Sequence, residues 1–242
     1  MEKKELLYEG KAKKLFRTDD SNVLWVEYLD QATALNGLKK DAIRGKGEMN
    51  NQITSLIFEE LLKQDVPSHF IKKLSNTEQL IQSVEIIPLE VVVRNVAAGS
   101  YSRRLDIAEG TTLEFPIVEF YYKNDALDDP FINDEHVRIL HLATSKEIND
   151  LKDLAKDVNQ KLIQLFQELN IRLIDFKLEF GRTEDGTILL ADEISPDTCR
   201  LWDITTNQHL DKDIYRRDLG DLLPVYQEVL QRLEEKNLVK EQ

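Results

Sequence analysis

Residues Leu173–Gly181 read LIDFKLEFG. Apolar and charged side chains alternate: Ile174, Phe176, Leu178 and Phe180 fall on one side, and Asp175, Lys177 and Glu179 on the other. A period of two is the signature of a β-strand with one buried face. Alone, the pattern fits any half-buried strand with a wet charged face. The residues that follow narrow it. Glu184-Asp185-Gly186-Thr187 contains Asp-Gly, a strong hairpin signal. A type I′ turn at Asp185-Gly186 pairs Glu184 with Thr187 and sets Glu179 directly opposite Asp192, with Glu193 pointing to the other face. Cross-strand Cβ atoms lie roughly 5 Å apart, where like charges repel. Two carboxylates so placed need a proton or a cation between them. Hard oxygen donors with no His or Cys beside them suit Mg²⁺, so Glu179 and Asp192 are the candidate metal ligands. Lys177 shares their face. The alternating charges of Asp175, Lys177 and Glu179 would orient a metal and an anionic substrate together, or make a plain salt-bridge ladder.

Around this hairpin the chain predicts an α+β fold of mixed and antiparallel sheets with helices. Residues 1–30 read as strands, with β-prone Val23–Tyr28 preceded by the turn residues Thr18–Asn22. The apolar spacing of Met49, Ile53, Leu56, Ile57 and Leu61 predicts a helix over 47–64. Val66–Leu74 and Ile86–Asn95 read as strands, the second continuous enough in apolar character to be central. Ile148, Leu151, Ala155, Val158, Leu162, Leu165 and Leu169 predict a helix over 146–169, with Ser145 as its N-cap and Asn170 closing it. A last helix is expected at about 213–236. The regular βαβα alternation of a doubly wound sheet is missing. The polar stretch SNTEQLIQS marks a boundary between a smaller lobe, 1–85, and a larger one, 86–242.

The 242 residues carry 45 acidic and 32 basic side chains, a formal net charge of −13. Such a surface repels nucleic acid and anionic membranes unless it holds a local basic patch. Nothing in the chain approaches the roughly 18 apolar residues of a membrane span, and MEKKELLYEG lacks the apolar core of a secretory signal. Cys199 is the one cysteine, which suits a reducing compartment. We therefore expect a cytoplasmic protein that meets neither nucleic acid nor membrane. Its cations cluster in short islands, among them Lys11 and Lys13, Arg94, and Arg216 and Arg217. Islands of this kind suit a small anion.

Three segments sharpen that expectation. YEGKAKK, Tyr8–Lys14, places a glycine beside Lys11 and Lys13, and would meet phosphate with amides and ammonium groups, or be an exposed turn. It lacks the spacing of a Walker P-loop. RNVAAGS, Arg94–Ser100, ends a strand on Arg and opens a helix at Gly-Ser, either an anion site or a plain connection with Ser100 as N-cap. In SPDTCRLW, Arg200 follows the carboxylate strand closely, and Lys212 and Arg216 stand at the start of the last helix, where an anion would offset their charge. The four histidines show no metal-ligand spacing.

Taken together, IIPLEVVVRNVAAGS (86–100), LIDFKLEFG, YEGKAKKLF, the KND…DP loop at 123–130 and DEISPDTCRLWD resemble the SAICAR synthetase family over nearly the whole chain. The resemblance implies a two-lobed ATP-grasp-like fold, with ATP and Mg²⁺ as cofactors. It implies a ligase of purine biosynthesis: ATP phosphorylates the carboxylate of an aminoimidazole ribotide and the amine of L-aspartate displaces the phosphate. It assigns Lys11, Lys13 and, less directly, Lys123 to the nucleotide, and Glu179 and Asp192 to the metal. It assigns Arg94, Ser100, Arg200, Lys212 and Arg216 to the ribotide and its carboxylate. Asp175 and Lys177 complete the substrate floor, so Lys177, Asp175 and Arg94 are the candidate catalytic residues. Asn36 stands where some relatives are expected to carry a carboxylate, which leaves a second metal contact there open. The family also implies a homodimer.

Overall fold

The chain builds two principal antiparallel sheets, and a computed structural model describes residues 1–34 and 39–240. Asn36 therefore lies outside the described residues. The first sheet takes β1 (Lys3–Glu9), β2 (Lys13–Thr18), β3 (Val23–Tyr28), β6 (Phe70–Lys73) and β7 (Glu78–Gln82) in the order β1-β2-β3-β7-β6. The β2–β3 turn forms as its residues require: the Asp20 carboxylate accepts the Asn22 N–H at 2.9 Å. Between β3 and β6 come a ribbon of β4 (Gln31–Ala34) and β5 (Lys39–Ala42), then helix α1 (Lys46–Leu62). Val66–Leu74 is less of a strand than expected. It is extended only over Phe70–Lys73, because Pro67 has no N–H to donate.

The second sheet holds β8 (Glu85–Ile86), β9 (Leu89–Val96), β10 (Thr112–Tyr122), β11 (Phe131–Ile132), β12 (Ile171–Arg182), β13 (Ile188–Ala191) and β14 (Cys199–Asp203). β12 is its hub, paired with β9, β13, β14 and β8. Helices α2 (Gly99–Leu105), α3 (Asp134–Ile139), α4 (Ser145–Glu168), α5 (Asp213–Arg216) and α6 (Leu222–Lys240) complete the chain. The expected last helix is thus two, broken where Asp218 turns left-handed at φ 54°. Helix α4 begins one residue earlier than its apolar spacing suggests. Thr144, not Ser145, is its N-cap, and Glu147 answers it in a capping box. Asn170, at φ 57°, closes the helix as expected.

The apolar stripe of α4 (Leu151, Ala155, Val158, Leu162) packs with Val91 and Val93 of β9 and with Phe176, Leu178 and Phe180 of β12 in one core. Each of these Val, Leu and Phe side chains, fully buried, contributes roughly 1.5–3 kcal/mol. Helices α1 and α6 pack against each other and join the same core through Ile53, Ile57, Val229 and Leu233. The opposite face of β9 and β12 therefore carries their charged residues.

Two details of β12 depart from strict alternation. The register slips between Leu173, opposite Leu201, and Asp175, opposite Arg200. This bulge turns Ile174 away from Phe176 into a small separate cluster with Val96, Ala98 and Trp202. The hairpin register also differs from the expected one. A type I′ turn needs positive φ at both central residues, and only Gly186 has it, at 83°. The loop is Glu184-Asp185-Gly186, closed by Thr183 N–H to the Thr187 carbonyl at 2.9 Å. Glu179 consequently lies opposite Ala191, not Asp192.

Candidate active site

The polar face of the second sheet is a row of opposite charges laid across three strands. Arg94 on β9 and Arg200 on β14 both stand directly opposite Asp175 on β12. Asp175 takes Arg94 Nη1 at 2.8 Å on Oδ2, and Arg200 Nη1 at 3.0 Å on each oxygen. Arg94 is spread further: Nε donates to Glu119 at 2.7 Å, and Nη2 to Ser100 Oγ and Tyr121 Oη at 3.2 Å each. Ser100 is therefore no N-cap. Ala98 holds that position without a side-chain bond, and the Ser100 hydroxyl turns to Arg94 instead. On the far side, Arg200 Nε donates to Asp213 at 2.9 Å, and Asp213 also takes Arg216 Nη1 at 2.8 Å. Burial opposes ionisation of Asp213, but the two arginines prevail and hold its pKa at about 2. For Arg94 and Arg200 burial likewise opposes the charge, and the carboxylates raise both above the ordinary value.

Gly99 explains how α2 approaches this row. Its backbone is left-handed, at φ 54°, and a Cβ there would stand 2.4 Å from Arg200 Nη2. Only glycine lets the start of α2 lie against the guanidinium.

Next to the arginine row lies a lysine–carboxylate cluster. Lys177 Nζ reaches Glu90 at 2.9 Å and Glu179 at 3.1 Å. Lys123 also pairs with Glu179. Lys13 pairs with Asp192 and lies 3.1 Å from Glu193. Lys11 reaches across to Asp125 at 2.8 Å, tying the β1–β2 turn to the loop after β10. Asp192 sits just past β13 with φ 58°, and this left-handed residue ends the alternation. Hence Glu193, expected on the other face, meets the same lysine as Asp192. Burial opposes charge at Asp192, but Lys13, Lys177 and Lys123 together hold its pKa below the usual carboxylate range. Although Glu179 and Asp192 are not cross-strand partners, Lys177 and Lys123 act on both.

A third group gathers around Asp197, which the sequence did not single out, and includes the expected Lys212. Lys46, fully buried on α1, donates to Asp197 Oδ2 at 2.5 Å. Asn50 donates to the same oxygen at 3.1 Å and the Tyr226 hydroxyl to Oδ1. Lys212 Nζ lies 3.6 Å from Asp197 Oδ2. Glu90, Glu119 and Tyr121 were also missed, and Arg104 bonds the last two. The signal was present as period-two alternation in Glu119-Phe120-Tyr121, whose middle residue alone is core. His209, assigned no ligand spacing, does come together with Asp211 and Asp213, one ligand atom of each within 4.8 Å of the others. Their oxygens are already taken. Asp213 holds Arg200 and Arg216, and Asp211 accepts the backbone N–H groups of Leu201 and Asp213 at 2.8 and 2.7 Å. Asp211 and Asp213 thus hold backbone and arginines, and the His209 ring packs on Trp202.

An arginine row beside a lysine–carboxylate cluster on one sheet face is the arrangement of a chain that handles several anionic groups at once. The family model described as SAICAR synthetase matches residues 6–233. The chain belongs to the SAICAR synthetase family. Its similarity to the phosphoribosylaminoimidazole-succinocarboxamide synthase of Enterococcus faecalis is 68% identity, covering 96% of this chain and 98% of that one. The enzyme of the same name from Lactococcus lactis subsp. cremoris is 64% identical, with 97% and 99% covered. Among solved structures, the Ehrlichia chaffeensis synthase superposes with a TM-score of 0.93 at 45% identity, covering 95% of this chain and 98% of that one. A SAICAR synthetase in complex with ADP gives 0.91 at 46%, with 95% and 97% covered.

Glu179 and Asp192 offer the hard oxygens that Mg²⁺ takes, with no imidazole nitrogen or thiol sulfur among the donors named. Each is nonetheless paired with lysine, Glu179 with Lys123 and Lys177 and Asp192 with Lys13, so a bound cation would have to take the place of an ammonium. His69 Nε2 bonds the Asp192 backbone carbonyl at 3.2 Å and stays on the second side of that residue. Among the described residues, no helix is long and apolar enough to cross a membrane.

Proposed function

We propose that this chain is an ATP-dependent ligase that joins 5-amino-1-(5-phosphoribosyl)imidazole-4-carboxylate to L-aspartate, yielding the succinocarboxamide ribotide, ADP and phosphate in purine biosynthesis. The observation that carries the reading is the adjacency of the two charge systems on one sheet face, linked through Asp175, Lys177 and Glu179 of a single strand. Arg94, Ser100, Arg200, Lys212 and Arg216 bind the phosphate and carboxylate of the ribotide. Lys11, Lys13 and Lys123 bind the nucleotide phosphates. Glu179 and Asp192 would hold Mg²⁺, which neutralises phosphate charge when bound.

The residues of the chain then do three things. The arginine row fixes the ribotide, because each guanidinium is itself held by a carboxylate and gives up little freedom on binding. Lys177 stays charged: burial opposes this, but Glu179 and Glu90 raise its pKa above the ordinary value. It can therefore stabilise negative charge that builds on a transferring phosphoryl group. Asp175 keeps the two arginines at a fixed spacing. We further propose that residues 1–85 cover the nucleotide and 86–242 carry substrate and metal, a division supported by the change of sheet between Gln82 and Glu85. The proposal includes a cytoplasmic homodimer, which sedimentation at working concentration tests.

A coupled assay for ADP, run with each substrate omitted in turn, tests the reaction. ADP release that requires ATP, Mg²⁺, ribotide and L-aspartate together, with amide formed in equal amount, is the expected result. ADP release indifferent to L-aspartate would identify a kinase instead.

A further inference from the structure

Between α1 and β6 the chain runs for a few residues along the edge of β13 that faces away from β12. Leu190 N–H donates to the Pro67 carbonyl at 2.9 Å, and His69 N–H donates to the Leu190 carbonyl at 2.8 Å. Ser68 and Leu190 are thereby bridged in parallel. Continued, this ladder would bring Asp192 N–H to the His69 carbonyl. It stops instead. The His69 carbonyl accepts Gln82 N–H of β7 at 2.6 Å, and Asp192 turns left-handed at φ 58°. His69 is therefore the residue at which the chain passes from the second sheet to the first, and Asp192 is where β13 departs from regular backbone.

The His69 ring takes up the bond that the backbone leaves unmade. Nε2 lies 3.2 Å from the Asp192 carbonyl oxygen. A carbonyl only accepts, so the ring proton belongs on Nε2. Nδ1 agrees with that tautomer: it is buried and has no hydrogen-bond partner among the described residues, a place where an N–H would be orphaned. The ring is buried and tilted at 44° on Phe58, with centroids 5.8 Å apart, which leaves it little room to turn away. Asp192 needs such a restraint. Left-handed backbone is unfavourable for a residue with a Cβ. A return to extended backbone would restore alternation and send Asp192 and Glu193 to opposite faces. Lys13, which now meets both, would keep one of them.

We propose that His69 is a positioning residue of the nucleotide site: its ring bond to the Asp192 carbonyl holds the left-handed turn that aims Asp192 and Glu193 together at Lys13. This rests on the reading of Asp192 as a metal ligand. His69 acts through that residue and not on any reacting atom. Partners of this kind around a metal ligand commonly account for about 10- to 100-fold in metal affinity or activity. The ribotide side should be indifferent, since the arginine row is fixed by Glu119, Asp175 and Asp213.

Calorimetric titration of the full chain with MgATP, in the absence of ribotide, reads the effect without turnover. His69→Phe keeps a ring on Phe58 but removes the donor, and MgATP affinity should fall about tenfold or more. His69→Gln restores an N–H donor at similar reach and should recover affinity to within about threefold of the parent. KM for the ribotide at saturating MgATP should stay at the parent value in both. Because a substituted chain can fail to fold, nitrogen-15 spectra of the unsubstituted protein supply an independent check: His69 should carry its ring proton on Nε2. Equal loss in the two variants, a parallel rise in the ribotide KM, or a ring proton on Nδ1 overturns the assignment. So does parent-like affinity in His69→Phe when Asp192→Asn has lost it. Parent-like affinity in Asp192→Asn itself removes the metal reading, and the role of His69 with it.

Discussion

Replacing Gly99 by Ala separates two costs that the structure keeps apart. The first is conformational: a side chain at φ 54° costs about 1–2 kcal/mol, and it falls on any residue but glycine. The second is local. A Cβ would stand 2.4 Å from Arg200 Nη2 and 2.6 Å from Cζ, so the guanidinium must withdraw. Withdrawal breaks the bonds of 3.0 Å from Arg200 Nη1 to both Asp175 oxygens. A lost charge-assisted bond of about 1.5–3 kcal/mol corresponds to roughly 10- to 150-fold in kcat/KM for the ribotide. Gly186→Ala is the internal control. Its φ of 83° carries the same backbone cost, yet nothing lies within 4 Å of its Cβ. Gly186→Ala should melt about 2–8 °C lower than the parent and Gly99→Ala lower still, because it also loses the Arg200–Asp175 bonds, and only Gly99→Ala should lose kcat/KM when the ribotide is varied in the ADP-release assay. Equal kinetics in the two variants would refute the claim that Gly99 seats Arg200 for substrate.

Other substitutions probe the remaining parts. Glu179→Gln and Asp192→Asn should each weaken Mg²⁺ binding measured by calorimetry in the presence of ATP, and lower turnover by orders of magnitude while the fold persists; binding unchanged in both would remove them from the metal site. Arg94→Lys keeps the charge but not the fork that serves Glu119, Asp175 and Ser100, so KM for the ribotide should rise at least about tenfold with KM for ATP little changed. An effect on ATP alone would move Arg94 to the nucleotide side. Glu147 accepts Arg182 Nε at 2.5 Å, which with its bond to Thr144 lowers its pKa to about 2. Since the folded pKa lies below the unfolded value, this stability is present above about pH 4.5 and lost as pH falls toward 2. Glu147→Gln should thus cost about 1 kcal/mol at pH 7, since solvent screens a partly exposed pair, with the gap to the parent closing in denaturant titrations below pH 4; a gap independent of pH would contradict the pairing.

Local periodicity carried much of the fold and part of the site. The α4 stripe and the face assignment of Phe176, Leu178 and Phe180 followed from spacing alone, because both elements bury one regular side. What spacing could not show was where regularity breaks. Ile174 leaves its face at a bulge set by pairing with β14, a strand the alternation of β12 does not encode. Asp192 and Glu193 meet one lysine because a left-handed residue stands at the end of β13. The burial of Lys46 against Asp197 was invisible for a different reason: a lysine at the start of an amphipathic helix reads as solvated, and only its tertiary partners show it to be buried. The partition of Arg94, Arg200 and Asp175 into one row needed the strand register, although the residue types alone already suggested anion binding.

That row joins residues 81 positions apart in sequence on one side of Asp175 and 25 on the other. No proteolytic fragment or cotranslational intermediate lacking β14 contains it, so the site exists only when the whole second sheet has closed. Ribotide affinity is then a direct readout of global folding. The ligand should protect the backbone amides of β9, β12 and β14 from hydrogen exchange by the same increment, and that increment should grow with ligand concentration as mass action on the native state requires.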